Sequence, residues 1–407
     1  MKNIVIVEAC RTPFDKFGGV LKATSSIDLA VKVLNKLMDR AKLPKDVVEN
    51  VYYGCCMHAE MAQYQNVPAR QAILKAGFPQ ETLSVSIDRA CCSSMVAVEL
   101  AAQAIALGEH DVCIACGTES MSNIPLLVPP TVRWGTKMGG VKMDDQLAPT
   151  GYTRTGFTDV AYDAGVVALE YGVSREEQDA WSVRTQQRYA AALAAGRWDT
   201  EIEPIEIPGP KKTMIVFDKD TSPRPDTNME SLAKLKTIYN SPTVTAGNAP
   251  GLNAGASAIL LMSEDKAKEL GVKPLAYIRS TASVADDYRY IARVPATAIQ
   301  KATKRAGIGL ADLKVIEINE AFAAMPLVST KILADGDEEK MEKLREITNV
   351  NGGAIALGHP VGASGARVIM TAMYELIRRG GGYGVAAICG GLAQGNAVLL
   401  EVPEKDV

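Results

Sequence analysis

A long-period internal duplication restricts the fold of this chain more than any other feature of its sequence. The first copy contains AVKVLNKLMDRAKLPKDVVENVYYGCC and, later, SVSIDRACCSSMVAVELAAQAIALGEHDVCIACG. The second contains TAIQKATKRAGIGLADLKVIEINEAF and, later, ITNVNGGAIALGHPVGASGARVIMTAMYELIRRGGGYGVAAICGG. In each copy two helices alternate with two apolar strands, and the last strand ends in Cys-Gly, at residues 116–117 and 389–390. This alternation predicts an α/β layered architecture that occurs twice.

The second helix of each copy is unusually apolar. These helices are predicted at 93–107 and 364–379, with Gly108 and Gly380 as terminating glycines. After its first turn, the helix at 93–107 carries only Glu99 and Gln103 as strongly polar residues. A helix that is apolar nearly all round is buried. Two such central helices, each next to a sheet covered on both faces, predict a five-layered α-β-α-β-α sandwich.

The segment between the halves differs in composition, being richer in Pro, Thr, Gly and charged residues. One helix is clear in it, with Ser174 and Glu177 in capping-box spacing and Gly196 at its end. A regular helix argues against disorder in an insertion of this length. We therefore predict an inserted loop domain and the following organisation: an N-terminal half of residues 1–122 plus 251–274, the inserted domain of residues 123–250, and a C-terminal half of residues 275–407.

Composition narrows the class of protein. Hydrophobic residues make up 47% and charged residues 22% of the 407 residues, which predicts a packed core. The formal net charge of −3 gives no electrostatic basis for nucleic-acid binding. We expect no membrane-spanning run and no signal peptide, and hence a cytoplasmic protein. The eight cysteines are then expected to be reduced, with CIAC (113–116) packed in a strand core.

Two adjacent cysteines stand at the entrance of the first central helix. The free N–H groups and the dipole of a helix N-terminus lower the pKa of a thiol there, and either Cys91 or Cys92 is placed to benefit. Buried cysteines are also common packing residues, so this segment alone does not distinguish a reactive cysteine from a packing one.

The chain has three histidines, and their positions differ in how well they suit a catalytic base. His110 lies in a polar turn, and nothing local supports a role for His58. His359 lies in the glycine-dense loop before the second central helix, which corresponds in the duplication to the loop of Cys91. The pseudo-symmetry therefore predicts that His359 and Cys91 face each other, as a nucleophilic cysteine and its base require.

Several motifs resemble those of the thiolase family, the coenzyme A-dependent acyltransferases that cleave or form 3-oxoacyl-CoA. They are DRACCSS, NEAF (319–322), GGAIALGHPVGASGAR (352–367), CGGLAQG (389–395), TVTAGNAPGLNAGASAILLMSE (243–264) and RTPFDKFGG (11–19). The resemblance covers essentially the whole chain, including the insertion.

The resemblance implies a set of catalytic residues. Cys91 maps onto the nucleophilic cysteine, Cys389 onto the second cysteine that acts as acid and base, and His359 onto the histidine that activates the nucleophile. Asn319 is expected to hold a water that helps His359 to stabilise the thioester oxygen. The backbone N–H groups of Cys91 and Gly391 are expected to form a second oxyanion hole. Cys92 fills a variable position and is expected to pack.

The resemblance also places coenzyme A, as a substrate, against the inserted domain. It maps adenine- and phosphate-side contacts onto Arg224, Ser231 and Tyr239, and Phe322 onto the substrate side. No permanently bound cofactor and no metal are expected. As partners it implies acyl-CoA, coenzyme A and further copies of the chain, as a homodimer or tetramer, and leaves room for a small accessory subunit.

Some residues depart from the family pattern. Asp88 and Ser94 replace Asn and Gly around Cys91, Pro250 replaces a Ser, Ala254 an Asp, and Leu392-Ala393 two glycines; the loop GYTRTGFTDVAYDAG lacks a histidine. These changes favour a bulkier 3-oxoacyl-CoA in a degradative pathway, of the aromatic benzoylsuccinyl-CoA type among others. The alternatives are an acetoacetyl-CoA thiolase, a decarboxylating condensing enzyme, and a non-catalytic acyl-CoA- or lipid-binding relative.

Overall fold

The structure is a computed structural model, and it describes residues 2–57, 60, 66–147 and 151–404. The strands that it describes are β1 Ile4–Arg11, β2 Asp15–Lys16, β3 Asn50–Gly54, β4 Leu83–Ile87, β5 Val112–Ser120, β6 Leu126–Leu127, β7 Asp144–Asp145, β8 Ile205–Pro208, β9 Met214–Phe217, β10 Asn253–Ser263, β11 Ala276–Ala285, β12 Leu313–Ile318, β13 Gly382–Gly390 and β14 Gln394–Val402.

The α-helices in the described residues are α1 Ser26–Ala41, α2 Pro68–Lys75, α3 Ser93–Leu107, α4 Gly151–Arg154, α5 Val160–Glu170, α6 Arg175–Ala194, α7 Met229–Ala233, α8 Glu264–Glu269, α9 Val294–Ala306, α10 Ala324–Ala334, α11 Glu338–Ile347, α12 Ala354–Leu357 and α13 Ser364–Arg378.

The duplication is visible in the strand pairing. In the first copy a short 3₁₀ turn at Lys45–Val47 leads into β3, which pairs in parallel with β5. In the second copy a 3₁₀ turn at Leu310–Asp312 leads into β12, which pairs in parallel with β13. The predicted repeat of helix, loop and strand is thus confirmed, and each copy supplies a parallel strand pair.

The two sheets meet edge to edge. The first has the order β4-β3-β5-β10-β1 and the second β11-β14-β13-β12. A short antiparallel ladder joins β1 to β11, where Val5 pairs with Tyr277 and Ile6 with Ala276. The sheets are therefore continuous at this edge.

Helices α3 and α13 lie between the sheets. One continuous apolar cluster contains residues of both helices, such as Met95 and Met370, together with Ile259 of the first sheet and Ile388 of the second. Separate clusters lie on the outer faces, where α1 and α2 cover the first sheet and α9 and α10 the second. This arrangement is the predicted five-layered sandwich.

The sequence-based expectation that no segment is long and apolar enough to span a membrane is wrong. Ala90–Leu107 is long and apolar enough, by length and composition only, to cross a membrane, but 67% of it is buried inside the protein. The reason is its place in the middle layer, where most of α3 packs against the sheets and α13, while Gln103 and Leu107 stay exposed.

The inserted segment packs against the N-terminal half. Helix α6 begins with the predicted capping box of Ser174 and Glu177. Arg11, at the end of β1, is fully buried and forms ion pairs of 2.6 Å with Glu201 and 2.7 Å with Asp220. These buried contacts fix the insertion to the first sheet, while the exact domain boundaries stay a prediction.

All eight cysteines are free thiols in the structure. Cys113 and Cys116 of the CIAC motif are fully buried in β5, as the sequence predicts.

Candidate active site

The structure separates the roles of the two adjacent cysteines. Helix α3 begins at Ser93, with Cys92 as its N-cap residue, so Cys91 lies just outside the helix. The Sγ atom of Cys92 is buried and lies 3.6 Å from the carbonyl oxygen of Ile388, whereas Cys91 is half-buried. Cys92 therefore packs against β13, and Cys91 is the thiol available to a substrate.

A turn before the helix holds Cys91 in place. Ala90 adopts a positive φ of 47°, a conformation unusual for a residue with a side chain. A carboxyl oxygen of Asp88 accepts a hydrogen bond of 2.9 Å from the backbone N–H of Ala90. The Oγ atom of Ser93 accepts a similar bond from the N–H of Arg89. Asp88, which departs from the family pattern, thus supports the turn that presents Cys91.

His359 faces Cys91 as the pseudo-symmetry predicts. Its Nε2 atom lies 3.2 Å from Cys91 Sγ, and the residue is 7% exposed. The loop between α12 and α13 carries His359, and its backbone N–H donates to Asn253 Oδ1 of β10 at 2.8 Å. The histidine of one half and the cysteine of the other therefore form a single site.

Ser364 determines which ring nitrogen of His359 carries the proton. The Oγ atom of Ser364 donates to the carbonyl oxygen of Pro360 at 2.9 Å and lies 2.6 Å from His359 Nδ1. Because the hydroxyl proton is used by Pro360, Ser364 Oγ accepts a hydrogen bond from Nδ1–H. His359 Nε2 is then unprotonated and is oriented to accept the thiol proton of Cys91.

Burial keeps the pair of Cys91 and His359 uncharged. Burial and the positive charge of Arg367 lower the pKa of His359 to about 3. Burial raises the pKa of Cys91 to about 12, and the nearby carboxyl groups of Glu119 and Asp88 also raise it. The expectation that the helix N-terminus leaves Cys91 with a lowered pKa is therefore wrong, because loss of solvation outweighs the dipole. The geometry favours transfer of the proton to His359 as Cys91 attacks.

Asn319 and Cys389 lie beside this pair. Asn319 directly follows β12, and its backbone N–H donates to the carbonyl oxygen of Ala387 at 3.0 Å. Its Nδ2 atom is 3.5 Å from His359 Nδ1. Cys389, near the end of β13, is fully buried; burial raises its pKa, and the thiols of Cys91 and Cys92 add to this effect. The four catalytic positions implied by the sequence thus converge, while their individual roles stay predictions.

Gly391 is covered by an aromatic ring from the inserted segment. A Cβ atom at Gly391 would lie 2.0 Å from the hydroxyl oxygen of Tyr152 and 2.6 Å from its Cζ atom, so the ring would have to move if residue 391 carried a side chain. Burial raises the pKa of Tyr152, and the nearby thiols of Cys56 and Cys91 raise it further. The ring therefore lies against the predicted oxyanion glycine and near the thiols of Cys56 and Cys91.

Three of the departures from the family pattern leave the backbone of the site intact. Leu392 and Ala393 adopt positive φ values of 58° and 53°, the region that glycines favour. They therefore keep the turn after β13 at some cost in strain. Ser94 accepts a hydrogen bond from the N–H of Ala366 at 2.9 Å and so joins the two central helices.

The predicted coenzyme A residues lie on the surface of the inserted segment. Arg224, Ser231 and Tyr239 are exposed. Ser231 takes part in a capping box with Asn228 at the start of α7, which accounts for its hydroxyl. Phe322 is half-buried and packs against the cluster around β12. Among the described residues, no hydrogen bond connects these four side chains to Cys91 or His359.

The remaining histidines take no part in this geometry. His110 lies beyond the C-terminal end of α3, where Nε2 is 3.3 Å from Asn50 Nδ2. His58 lies outside the described residues. Within the described ranges, no group of three His, Cys, Asp or Glu side chains is placed to hold a metal ion.

Sequence reasoning missed four supporting residues. They are Ser364, Arg367, Asn253 and Glu119. The first two lie inside the motif GGAIALGHPVGASGAR, and their spacing of three on one helix was a usable signal. Asn253 and Glu119 accept hydrogen bonds from backbone N–H groups of the His359 loop, which is distant in sequence, so no local sequence pattern predicts these contacts.

A cysteine in contact with a neutral histidine, beside a second buried cysteine, is the arrangement expected of an enzyme with a thiol nucleophile. Comparisons with known proteins give the family. The family model described as thiolase, N-terminal domain, matches residues 4–265, and that described as thiolase, C-terminal domain, matches residues 272–402. This chain belongs to the thiolase family and is an acyltransferase.

Individual relatives agree in sequence and structure. An acetyl-CoA acetyltransferase of Syntrophomonas wolfei is 42% identical over 409 residues, covering 98% of this chain and 99% of the relative. Human mitochondrial 3-ketoacyl-CoA thiolase is 36% identical, with a TM-score of 0.90 over 98% of this chain and 99% of the other. A crystal structure of that human enzyme in complex with CoA has a TM-score of 0.89, 36% identity and coverage of 99% and 98%.

Proposed function

We propose that the protein catalyses the thiolytic cleavage of a 3-oxoacyl-CoA, or the reverse condensation, through an acyl-enzyme on Cys91. The contact of 3.2 Å between Cys91 Sγ and His359 Nε2 carries the proposal. As Cys91 attacks the 3-oxo carbonyl, its proton passes to His359. The carbon–carbon bond then breaks, and the departing acyl-CoA enolate takes a proton from Cys389.

The second half-reaction returns both protons. The Cys389 thiolate takes the proton of coenzyme A, whose sulfur attacks the thioester on Cys91. The Cys91 thiolate leaves and recovers its proton from His359, so the enzyme returns to its starting state. The N–H groups of Cys91 and Gly391 are the proposed donors to the tetrahedral oxyanion, and Asn319 serves the enolate or thioester oxygen.

Substitution of Cys389 tests this division of roles. Cys389→Ala should still form an acyl-enzyme from a simple acyl-CoA, because that step needs only Cys91 and His359. It should lose carbon–carbon cleavage, measured with free coenzyme A on a panel of 3-oxoacyl-CoA substrates. Cys116→Ala is the matched control, since Cys116 occupies the equivalent place in the first repeat and is buried in β5. Near-normal thiolysis by Cys389→Ala would contradict the proposed role.

The size of the acyl group that the enzyme transfers is a separate question, and there are two candidate substrates. The proposal of a bulkier 3-oxoacyl-CoA, aromatic or otherwise, is based on Pro250, Leu392 and Ala393, which differ from the family pattern. The acetoacetyl-CoA candidate is favoured by Tyr152, whose ring fills space beside Gly391, and by relatives named acetyl-CoA acetyltransferase. We propose the short acyl group, because Leu392 and Ala393 keep the glycine-type turn and do not by themselves enlarge the site.

We propose that coenzyme A lies along the exposed surface of the inserted segment that carries Arg224, Ser231 and Tyr239. A guanidinium group suits the phosphates of coenzyme A. Arg224→Ala should raise the KM for coenzyme A with little change in kcat. Lys273→Ala, at an exposed lysine between α8 and β11, is the control. An unchanged KM in Arg224→Ala would exclude this contact.

We further propose that the protein forms a homodimer through the edge of the first sheet. Strand β4 is at the sheet edge, has no charged residue, and exposes Leu83 and Val85 by 56% and 42%. An uncharged edge of this kind pairs readily with a second copy across a two-fold axis. Val85→Lys should give a monomer mass in light scattering, whereas Leu107→Lys, an exposed site on α3, should not. A wild-type monomer would contradict the proposal, and neither a tetramer nor an accessory subunit is required by it.

A further inference from the structure

A buried arginine lies directly behind the active site. Arg367, in the first turn of α13, and Glu317, in β12, are both 0% exposed. The chain places a full positive charge in the middle layer, eight residues after His359. A charge in such a position has a large desolvation cost, so its contacts indicate what it does there.

Stability does not account well for this ion pair. Arg367 Nη1 lies 3.5 Å from Glu317 Oε2, longer than the ~2.8 Å of a charge-assisted hydrogen bond. Within the described residues, Nε and Nη1 of Arg367 and both carboxyl oxygens of Glu317 make no hydrogen bond. Buried pairs of this kind are often no more stable than apolar residues of the same volume. Glu317 balances the charge, but it does not use the donors of Arg367.

The hydrogen bond that Arg367 makes goes to a catalytic position. Its Nη2 atom donates to Asn319 Oδ1 at 3.0 Å. With Oδ1 held on this side, the amide NH2 group of Asn319 must point the other way, toward His359. Because His359 Nδ1–H donates to Ser364, the 3.5 Å between Asn319 Nδ2 and His359 Nδ1 joins two donors and is not a hydrogen bond, so the amide protons stay available to another acceptor. The reversed amide would set its NH2 group against the guanidinium donors, so Arg367 disfavours it.

We infer that Arg367 is a positioning residue that fixes the amide of Asn319 with its donor group toward the Cys91 and His359 pair. A carboxamide in this orientation donates to negative charge that develops on a substrate oxygen, and the guanidinium behind it strengthens that donor through its carbonyl. The reversed amide would present an oxygen there and repel the same charge. Ser364 and Arg367, three residues apart on one turn, thus orient His359 and Asn319.

The test separates this function from the cost of a buried unpaired charge. This inference rests on the proposed function, because kcat is measured for thiolysis. Glu317→Gln alone keeps the bond from Arg367 to Asn319 but leaves the buried guanidinium without its counterion. The pair Glu317→Gln with Arg367→Met removes both the bond and the charge, so its kcat is compared with that of the wild type as well as with that of Glu317→Gln. Each variant is also made in an Asn319→Ala background, which completes a double-mutant cycle. Thermal unfolding of every variant reports folding.

Relative to Glu317→Gln, the added Arg367→Met should lower kcat about 10- to 100-fold, with KM changed far less. In the Asn319→Ala background the same change should have no further effect on kcat. Equal losses in the two backgrounds, or no loss, would overturn the inference. If the Met variant unfolds, Arg367→Lys, which keeps the charge and one donor, should retain more kcat than Arg367→Gln; equal values would also overturn it. A wild-type protein inactive on every substrate would instead reject the proposed function.

Discussion

His359 Nε2 lies 3.2 Å from Cys91 Sγ although 268 residues separate the two in the chain. The contact exists because each residue stands at the entrance of a central helix and the two helices begin side by side. Since burial raises the pKa of Cys91 and lowers that of His359, the resting pair is a thiol and a neutral imidazole. Proton transfer then accompanies the attack on substrate, and the predictions that follow depend on this state.

The reactivity of Cys91 should reveal its protonation state. Its raised pKa means that little thiolate is present at neutral pH, so alkylation by iodoacetamide should accelerate by about tenfold per pH unit up to at least pH 9. Mass spectrometry of the Cys91 peptide gives the rate without interference from other thiols. A rate that is already constant below pH 7 would show a preformed thiolate and contradict the neutral pair.

The two adjacent cysteines should behave differently on substitution. Cys91→Ala should abolish acyl transfer, because the nucleophile is lost. Cys92→Ala should mainly lower stability, since its buried side chain packs against β13. After incubation with substrate but no free coenzyme A, intact-protein and peptide mass spectra should locate the acyl group on Cys91. Acylation of Cys92 would reverse the assignment.

Ser364 should influence the rate through the tautomer of His359. Ser364→Ala removes the acceptor 2.6 Å from Nδ1, so the Nε2–H tautomer, which cannot accept the thiol proton, becomes more populated. We expect kcat/KM to fall by about tenfold or more. Ser364→Thr keeps a hydroxyl and serves as the control that should recover most activity. If Ser364→Ala matched the wild type, the hydrogen bond would not set the tautomer.

The sequence predicted the layers and the main site because both repeat. The duplication placed Cys91 and His359 at equivalent helix entrances, and the apolar surface of α3 placed that helix in the middle layer. Family resemblance added Cys389 and Asn319. The protonation state of Cys91 was predicted wrongly, since a helix end is visible in sequence whereas the desolvation caused by the opposite half is not.

Contacts between distant parts of the fold could also not be predicted from the sequence. Tyr152 reaches Gly391 from the inserted segment, and Arg367 reaches Asn319 from the neighbouring helix. Neither pair shares a local pattern. Such contacts depend on how loops and helices cross in three dimensions, which spacing along one chain does not specify.

Glu119 should make stability depend on pH. Its buried carboxyl group accepts hydrogen bonds of 3.1, 3.0 and 3.0 Å from the N–H groups of Cys56, Met57 and Gly362. Burial nevertheless raises its pKa from 4.5 to about 7. Between these values the folded protein holds a proton that the unfolded chain has lost, so the contribution of Glu119 to the free energy of unfolding decreases as pH rises.

Glu119→Gln removes this titration and tests its direction. Across pH 4.5 to 7 the wild type should lose stability relative to the variant, measured by urea unfolding at each pH. The comparison at constant buffer and ionic strength cancels the titration of the other groups. Parallel curves for the two proteins would mean that Glu119 titrates normally.

Tyr152 should limit the length of the acyl group. Its ring lies against Gly391 and near Cys91, and we expect a longer acyl chain on Cys91 to need this space. Tyr152→Ala should therefore raise kcat/KM for longer 3-oxoacyl-CoA substrates relative to acetoacetyl-CoA. A hydrophobic pocket discriminates by ~1–3 kcal/mol per methylene, so the ratio should shift about tenfold or more.

Tyr152→Phe is the matched control because it keeps the ring and removes only the hydroxyl. It should retain the wild-type preference if ring volume sets the limit. If Phe instead behaved like Ala, a hydrogen bond from the hydroxyl would be the discriminating feature. A wild-type enzyme that already prefers bulky or aromatic substrates over acetoacetyl-CoA would contradict a size limit at Tyr152 and would support the larger pocket that the departures at Pro250, Leu392 and Ala393 favour.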